Sequence, residues 1–166
     1  MKTFIFLGLG IILSSNYSHA SGYTKIFTLE RTLNTNQVVY EVDLSNTDNP
    51  VHPYWIMLAE DGHTEELNRI EKNRAYGTEV IEQTPSELKF EIVSFRSHPI
   101  SVKVDPETLT PYATMMLSGG EKILNDVFLT ATGGIFPKVI KIDISYQDIK
   151  NGPILRESIN PSLLQI

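Results

Sequence analysis

The chain contains no cysteine among its 166 residues. Without a thiol it can form no disulfide framework, carry no thiol-linked lipid anchor and use no cysteine nucleophile. No serine lies in a G-x-S-x-G elbow that would activate its hydroxyl. The sequence therefore predicts no residue for nucleophilic catalysis, and we assign no catalytic residue.

Positive charge is also scarce, because 14 lysine and arginine residues stand against 20 acidic residues and give a net charge of −6. Binding to nucleic acid depends on clustered lysine and arginine, and no such cluster follows the first twenty residues. The same balance opposes adhesion to anionic lipid. The composition therefore excludes nucleic acid as an expected partner.

Long apolar runs are confined to the start of the chain. Lys2 precedes an apolar stretch at residues 4–13, and Ser18-His19-Ala20 follows it. This pattern predicts a signal peptide over residues 1–20, removed near Ala20. No later run approaches the eighteen residues of a membrane-spanning helix, so no integral membrane segment is expected in the mature chain. We expect residues 21–166 to form one β-rich domain in the periplasm or outside the cell.

Most of the mature chain alternates apolar and polar residues with a period of two. Such alternation is typical of antiparallel strands that have one face on the core and one in water. The apolar faces are Val38, Tyr40, Val42 and Leu44; Leu88, Phe90 and Ile92; Ile100, Val102 and Val104; and Ile142, Ile144 and Tyr146.

Turn residues separate these segments and set the expected fold class. Hairpin turns are predicted at residues 46–50, 118–120, 132–134 and 151–152, where glycine and asparagine supply positive φ. Pro53 and Pro99 indicate strand edges, bulges or starts. About eight to ten strands are expected, in a calycin-like antiparallel barrel or a two-sheet sandwich.

One stretch breaks the alternation and predicts an α-helix near residues 64–76. Thr64 can cap the first amides, and Glu65 and Glu66 suit the positive end of the helix dipole. Gly77 is expected to end the helix in the left-handed conformation. The narrow apolar stripe of this helix predicts that it lies across the sheet or a barrel mouth.

Several short motifs together resemble a known family. They are Glu30-Arg31, residues 36–40, residues 49–56, residues 65–68, Ala75-Tyr76-Gly77, residues 137–139 and residues 148–152. This set resembles the uncharacterised exported bacterial proteins called domain of unknown function family 4833. The resemblance covers most of the mature chain and implies a single exported domain, but it brings no activity, ligand or catalytic residue.

The candidate ligand-binding residues lie between residues 49 and 76. In a strand, His52 and Tyr54 share one face, whereas Trp55, the sole tryptophan, lies on the other. Arg74 and Tyr76 could close over a cavity and bind a carboxylate through the guanidinium group, with Asn68 nearby. The alternative roles are a half-exposed histidine beside a core tyrosine, a core tryptophan, and an Arg74 ion pair with Glu71 or Glu66.

The remaining site classes have weak support. His52, His63 and His98 lack metal-binding spacing, so no metal ligand is assigned and no cofactor is predicted. The leading hypothesis is a non-enzymatic exported protein that binds a small molecule or an envelope component. The alternatives are a hydrolase acting on glycan or peptide, with His52 and Glu60 sharing acid and base roles, and an interaction module without a pocket. The oligomeric state stays open.

Overall fold

The computed structural model describes residues 22–133, 138–159 and 161. The structure is mainly β, with 56% of the described residues in strands. The described strands are β1 (Thr24–Arg31), β2 (Asn34–Val42), β3 (Val51–Ile56), β4 (Thr64–Glu66), β5 (Thr78–Gln83), β6 (Glu87–Ile92), β7 (Ile100–Val104), β8 (Pro111–Leu117), β9 (Gly120–Ala131), β10 (Val139–Gln147) and β11 (Leu155–Ile159). The predicted signal peptide lies outside the described residues.

The strands form one curled sheet that branches at β9. Nine strands follow the order β4-β3-β2-β1-β9-β8-β7-β6-β5, and β10 and β11 extend from β9. Strand β9 pairs with β8 near its start and with β1 further along, while β10 pairs with β9 over both stretches. Because β1 and β8 thus share one edge of β9, the strands beyond them diverge as two wings. The result is a strongly curled half-barrel, which confirms the predicted mainly β fold class with one short helix.

One neighbour relation in the sheet differs from the prediction of antiparallel strands. Strand β1 runs parallel to β9, with Thr28 opposite Asp126 and Leu29 opposite Val127. The other pairs of neighbouring strands described here are antiparallel. A contact between strands about 100 residues apart leaves no local pattern in the sequence, because alternation reports only which face is buried.

The core fills the space between the two wings. Tyr40 and Phe27 stack with ring centroids 4.5 Å apart. Leu88, Phe90 and Ile92 of β6 are fully buried in the same apolar cluster, as their alternation predicts. The Tyr40 hydroxyl donates a 2.8 Å hydrogen bond to the Tyr76 carbonyl oxygen, and burial raises its pKa well above the ordinary value. Tyr40 therefore ties the core to the segment that follows β4.

That segment is helical, but it is shorter than predicted. It comprises α1 (Arg69–Glu71) and a π-helical turn (Lys72–Tyr76), and we call the two together the helical segment. Thr64 is not its cap, because Thr64–Glu66 pair with β3 as β4. Asn68 is the N-cap, and its side-chain oxygen accepts from the amides of Ile70 and Glu71. Within the residues described, no helix is long and apolar enough to cross a membrane.

Gly77 ends the helical segment for a reason other than the predicted one. Its φ of −65° and ψ of 165° are extended, not left-handed. A Cβ atom at this position would collide with the Lys72 backbone carbonyl. The π turn thus requires glycine for close backbone approach. By contrast, Gly119 and Gly120 have φ of 93° and 112°, as predicted for the hairpin between β8 and β9.

Two polar residues predicted to face water are buried instead. Asp143 and Ser145 of β10 are less than a tenth exposed. Asp143 accepts from the Ser158 hydroxyl and pairs with Lys141, and both contacts lower its pKa. Residues 142–145 are buried on both faces of β10, whereas its edges pair with β9 and β11. The hairpin predicted at residues 132–134 extends partly outside the described residues.

Candidate functional site

A cavity of about 720 Å³ opens between the β1–β2 hairpin, β3, β4 and the helical segment. A volume of this size lies within the range of small-molecule sites. The cavity brings together four of the predicted site residues, which are Trp55, Asn68, Arg74 and Tyr76. The helical segment therefore forms one wall and β3 another.

The apolar part of the cavity comes from the edge of the core. Trp55 and Tyr76 meet edge to face, with centroids 5.1 Å apart, and each is less than a tenth exposed. Met57, Ile70 and Ala75 extend this surface toward solvent. Burial raises the pKa of Tyr76, whereas the nearby Arg31 opposes the shift. The Tyr76 phenol therefore stays neutral and can donate or accept a hydrogen bond.

Three asparagine residues supply polar groups at the cavity, and each already has structural contacts. Asn68 caps the helical segment, while its backbone N–H donates to Glu71 Oε2 at 2.8 Å. Asn34 accepts from the Asn36 amide, and Asn36 accepts from the Ala59 amide. These bonds use the side-chain oxygens. Asn68, which was predicted to bind a ligand, therefore also has a structural role as the N-cap. The bonds also fix the shape of the cavity wall.

Two arginines bring positive charge to the cavity. Arg31 ends β1 and is half-buried, while Arg74 is exposed on the helical segment. Within residues 22–133 and 138–159, neither guanidinium has a carboxylate oxygen within 4.0 Å. The predicted alternative for Arg74, an ion pair with Glu71 or Glu66, is therefore not observed in this part of the chain.

His52 and Tyr54 lie on the opposite face of β3, as strand alternation predicts. They line a shallow cleft of about 300 Å³ with Glu41 and Glu66. His52 Nε2 lies 2.6 Å from Glu66 Oε1, and the Tyr54 hydroxyl donates to Glu41 Oε1 at 2.8 Å. Partial burial and the Glu41 bond raise the pKa of Tyr54 to about 12. The structure thus divides the six predicted residues between two clefts.

The acid–base pair of the hydrolase alternative is not assembled. His52 contacts Glu66, and Glu60 lies in the exposed turn that follows β3. Among the residues described, no three His, Asp or Glu side chains are placed to hold a metal ion.

Several residues that line the cavity were not predicted as ligand-binding residues. They include Arg31, Asn34, Asn36, Met57 and Glu65. The first three come from the hairpin of β1 and β2, whose first strand was not recognised from its pattern. Glu30-Arg31 and residues 36–40 carry part of the family resemblance, but that resemblance assigns no role to them. Glu65 was expected in a helix, whereas pairing with Trp55 places it in β4.

His63 gives a direct check on the charges around β4. It contacts Asp61 and lies 2.9 Å from Glu65 through Nε2, and hydrogen bonds to Glu65 and Asp61 raise its pKa from 6.5 to about 9. We expect NMR to show His63 titrating near pH 9, and at lower pH in Glu65→Gln. Since the folded pKa is raised, the stabilisation is complete below about pH 6.5 and is lost as pH rises through 9. Titration of His63 near pH 6.5 in the unmodified protein would contradict these contacts.

Comparison with known proteins identifies the family. No curated protein and no solved structure gives a match. The family model described as "Domain of unknown function (DUF4833)" matches residues 27–157, which contain every residue that lines the cavity. This match confirms the resemblance found in the sequence motifs, and the chain belongs to the DUF4833 family.

Proposed function

We propose that this protein binds a small molecule in the cavity between β3 and the helical segment. The observation that carries the proposal is the cavity itself, with about 720 Å³ of space, an aromatic edge and two arginine side chains. Ligand sites combine apolar walls with a few convergent polar groups in this way. The other clefts described are smaller, and the one that combines Tyr112 with Lys150 has a volume of only about 140 Å³.

The single tryptophan makes the proposal testable before a ligand is known. Trp55 lines the cavity, and the chain contains no other tryptophan to mask its emission. A library of sugars, amino acids, organic acids and aromatic fragments would first be screened for compounds that raise the melting temperature, since a ligand of the native state stabilises it. We expect such compounds to change Trp55 emission with saturation.

Two outcomes would contradict the proposal. One is a library in which no compound raises the melting temperature. The other is a set of stabilising compounds that leave Trp55 emission unchanged, because they would bind away from the cavity. The cleft of about 320 Å³ near Leu44 and Gln83 is the internal reference, since NMR amide shifts there should stay small.

We also propose that the protein is exported and works in the periplasm or outside the cell. The support is the sequence alone, in which an apolar stretch at residues 4–13 precedes Ser18-His19-Ala20. When the whole chain is expressed in a bacterial host, the exported protein should begin at Ser21 by intact mass. Ala20→Arg should leave the precursor uncleaved, because the cleavage site needs a small residue. Full-length protein found only in the cytoplasm would contradict export.

A further inference from the structure

The acidic and basic side chains of the cavity differ in whether they have partners within the described part of the protein. Its carboxylates already have partners: Glu66 contacts His52 at 2.6 Å and Lys72 at 3.3 Å, and Glu65 contacts His63 at 2.9 Å. Glu71 accepts a backbone hydrogen bond in the capping box. The contacts with His52 and Lys72 lower the pKa of Glu66 below its ordinary value. Each of the three carboxylates thus already has a partner within the protein.

The positive side chains have no carboxylate partner in the described part of the chain, although Arg31 lies beside the Tyr76 phenol and opposes the rise in its pKa. Across residues 22–133 and 138–159, Arg31 and Arg74 form no ion pair. The Nε atom of Arg31 is buried, and it has no hydrogen-bond partner within that same part of the chain. Because a guanidinium cannot lose its proton in a protein, this donor stays without an acceptor among the described residues. Among the charged side chains that line the cavity, the two arginines are therefore the ones without a partner of opposite charge in the described part of the chain.

We infer that the ligand of this cavity is a small sugar acid whose carboxylate binds to Arg31. The inference rests on the proposed function and adds the chemical class of the ligand. A guanidinium binds a planar carboxylate through two parallel hydrogen bonds. A phosphate dianion fits less well, because Glu65, Glu66 and Glu71 line the same cavity and would repel its second charge. Arg74 at the exposed rim adds attraction for the approaching anion.

The other side chains of the cavity favour a ligand with a hydroxylated sugar ring. Each of the three glutamates retains lone pairs that can accept a hydroxyl hydrogen, since a carboxylate offers about four acceptor sites. Asn34 and Asn36 add amide groups on the wall formed by β2. Trp55 supplies an apolar edge for the carbon–hydrogen face of a ring. A hydroxylated ring with one carboxylate satisfies these groups together, whereas a purely apolar acid leaves most of them without a partner.

Calorimetric titration with D-glucuronate and D-glucose tests the inference, because the two sugars differ only at the carboxylate carbon. At low salt we expect glucuronate to bind at least about tenfold more tightly than glucose, as a charge-assisted bidentate contact implies. Arg31→Gln should weaken glucuronate binding by about tenfold or more and leave glucose binding unchanged. Salt at 0.5 M should weaken the binding of glucuronate but not of glucose.

Arg69→Gln is the control, because Arg69 lies in the helical segment that forms a wall of the cavity but does not itself line the cavity. Its glucuronate affinity should stay within about twofold of the unmodified protein. If Arg31→Gln fails to fold by circular dichroism, Arg74→Gln replaces it, since Arg74 is exposed and should lower affinity by about threefold.

The inference is overturned if glucose binds as tightly as glucuronate, if glucuronate does not bind, or if neither arginine variant weakens its binding. Its failure is distinguishable from failure of the proposed function. Library compounds that change Trp55 emission while glucuronate does not bind would leave the cavity as a ligand site and remove the sugar acid. A library without any compound acting on Trp55 would remove both.

Discussion

Replacing Tyr40 with alanine should lower the free energy of unfolding by about 4 kcal/mol, because deletion of a buried aromatic side chain leaves a cavity that relaxes only in part. The Tyr40 side chain is fully buried and stacks on Phe27 at 4.5 Å. Tyr40→Phe should cost about 1 to 2 kcal/mol, since it leaves the buried Tyr76 carbonyl without its hydrogen bond. Urea denaturation followed by circular dichroism gives both values.

Tyr112→Phe provides the control for the hydroxyl. Tyr112 is half-buried in β8, and its hydroxyl makes no hydrogen bond to any residue that the structure describes. Its substitution should change stability by no more than about 0.5 kcal/mol. If Tyr40→Phe were equally neutral, the bond that links the core to the helical segment would not contribute to stability.

Replacing Gly77 with alanine should destabilise the protein by about 3 kcal/mol, at the upper end of the cost of inserting a methyl group into packed structure. The added Cβ would collide with the Lys72 carbonyl, which is backbone and cannot rotate away as a side chain could. The sign of the effect is informative. The φ of Gly77 is −65°, and glycine-to-alanine changes at such compatible positions ordinarily stabilise a protein by about 0.4 to 1 kcal/mol.

Gly22→Ala is the matched control, because a Cβ at Gly22 would meet no atom within 4 Å. We expect this variant to unfold at the same urea concentration as the unmodified protein, or at a slightly higher one. Gly77→Ala should also reduce ligand-induced changes in Trp55 emission, since the helical segment forms a wall of the cavity. A Gly77→Ala protein as stable as the original would show that the π turn does not approach Gly77 as described.

The core and most strands could be predicted from the sequence because their signals are local. Leu88, Phe90 and Ile92 alternate with polar residues, and all three are fully buried. At Pro53 the missing backbone donor correctly indicated an edge, because β4 pairs only with residues 54–56 of β3. Local chemistry of this kind depends on neighbouring residues, which the sequence shows directly.

The features that failed depend on contacts across the fold. Thr64–Glu66 contain no apolar residue and are exposed, so only their pairing with β3 makes them a strand. Val80 and Ile81 of β5 are adjacent and both about half exposed at a bulge, so this strand has no alternation that could predict it. The parallel pairing of β1 with β9 likewise joins distant parts of the chain. Such pairings override local propensity and cannot be deduced from it.

The candidate site was predictable in part for the same reason. Trp55, Arg74 and Tyr76 were recognised by residue type and by position on β3 and the following segment, and the structure brings them to one cavity. Arg31 could not be recognised, because it is distant in sequence and reaches the cavity only through the β1–β2 hairpin and the pairing of β1 with β9. Only the three-dimensional structure shows that its Nε is buried and has no partner among the described residues.

Whether the cavity binds small molecules is tested most directly by crystallographic mapping of small-fragment binding. Crystals of the protein would be soaked individually with the same library of sugars, organic acids and aromatic compounds. We expect ordered fragments to concentrate between Trp55, Tyr76 and Arg31, with their acidic groups directed toward the Arg31 guanidinium. Fragments that gather in the other clefts, and leave this cavity filled only with water, would contradict this expectation.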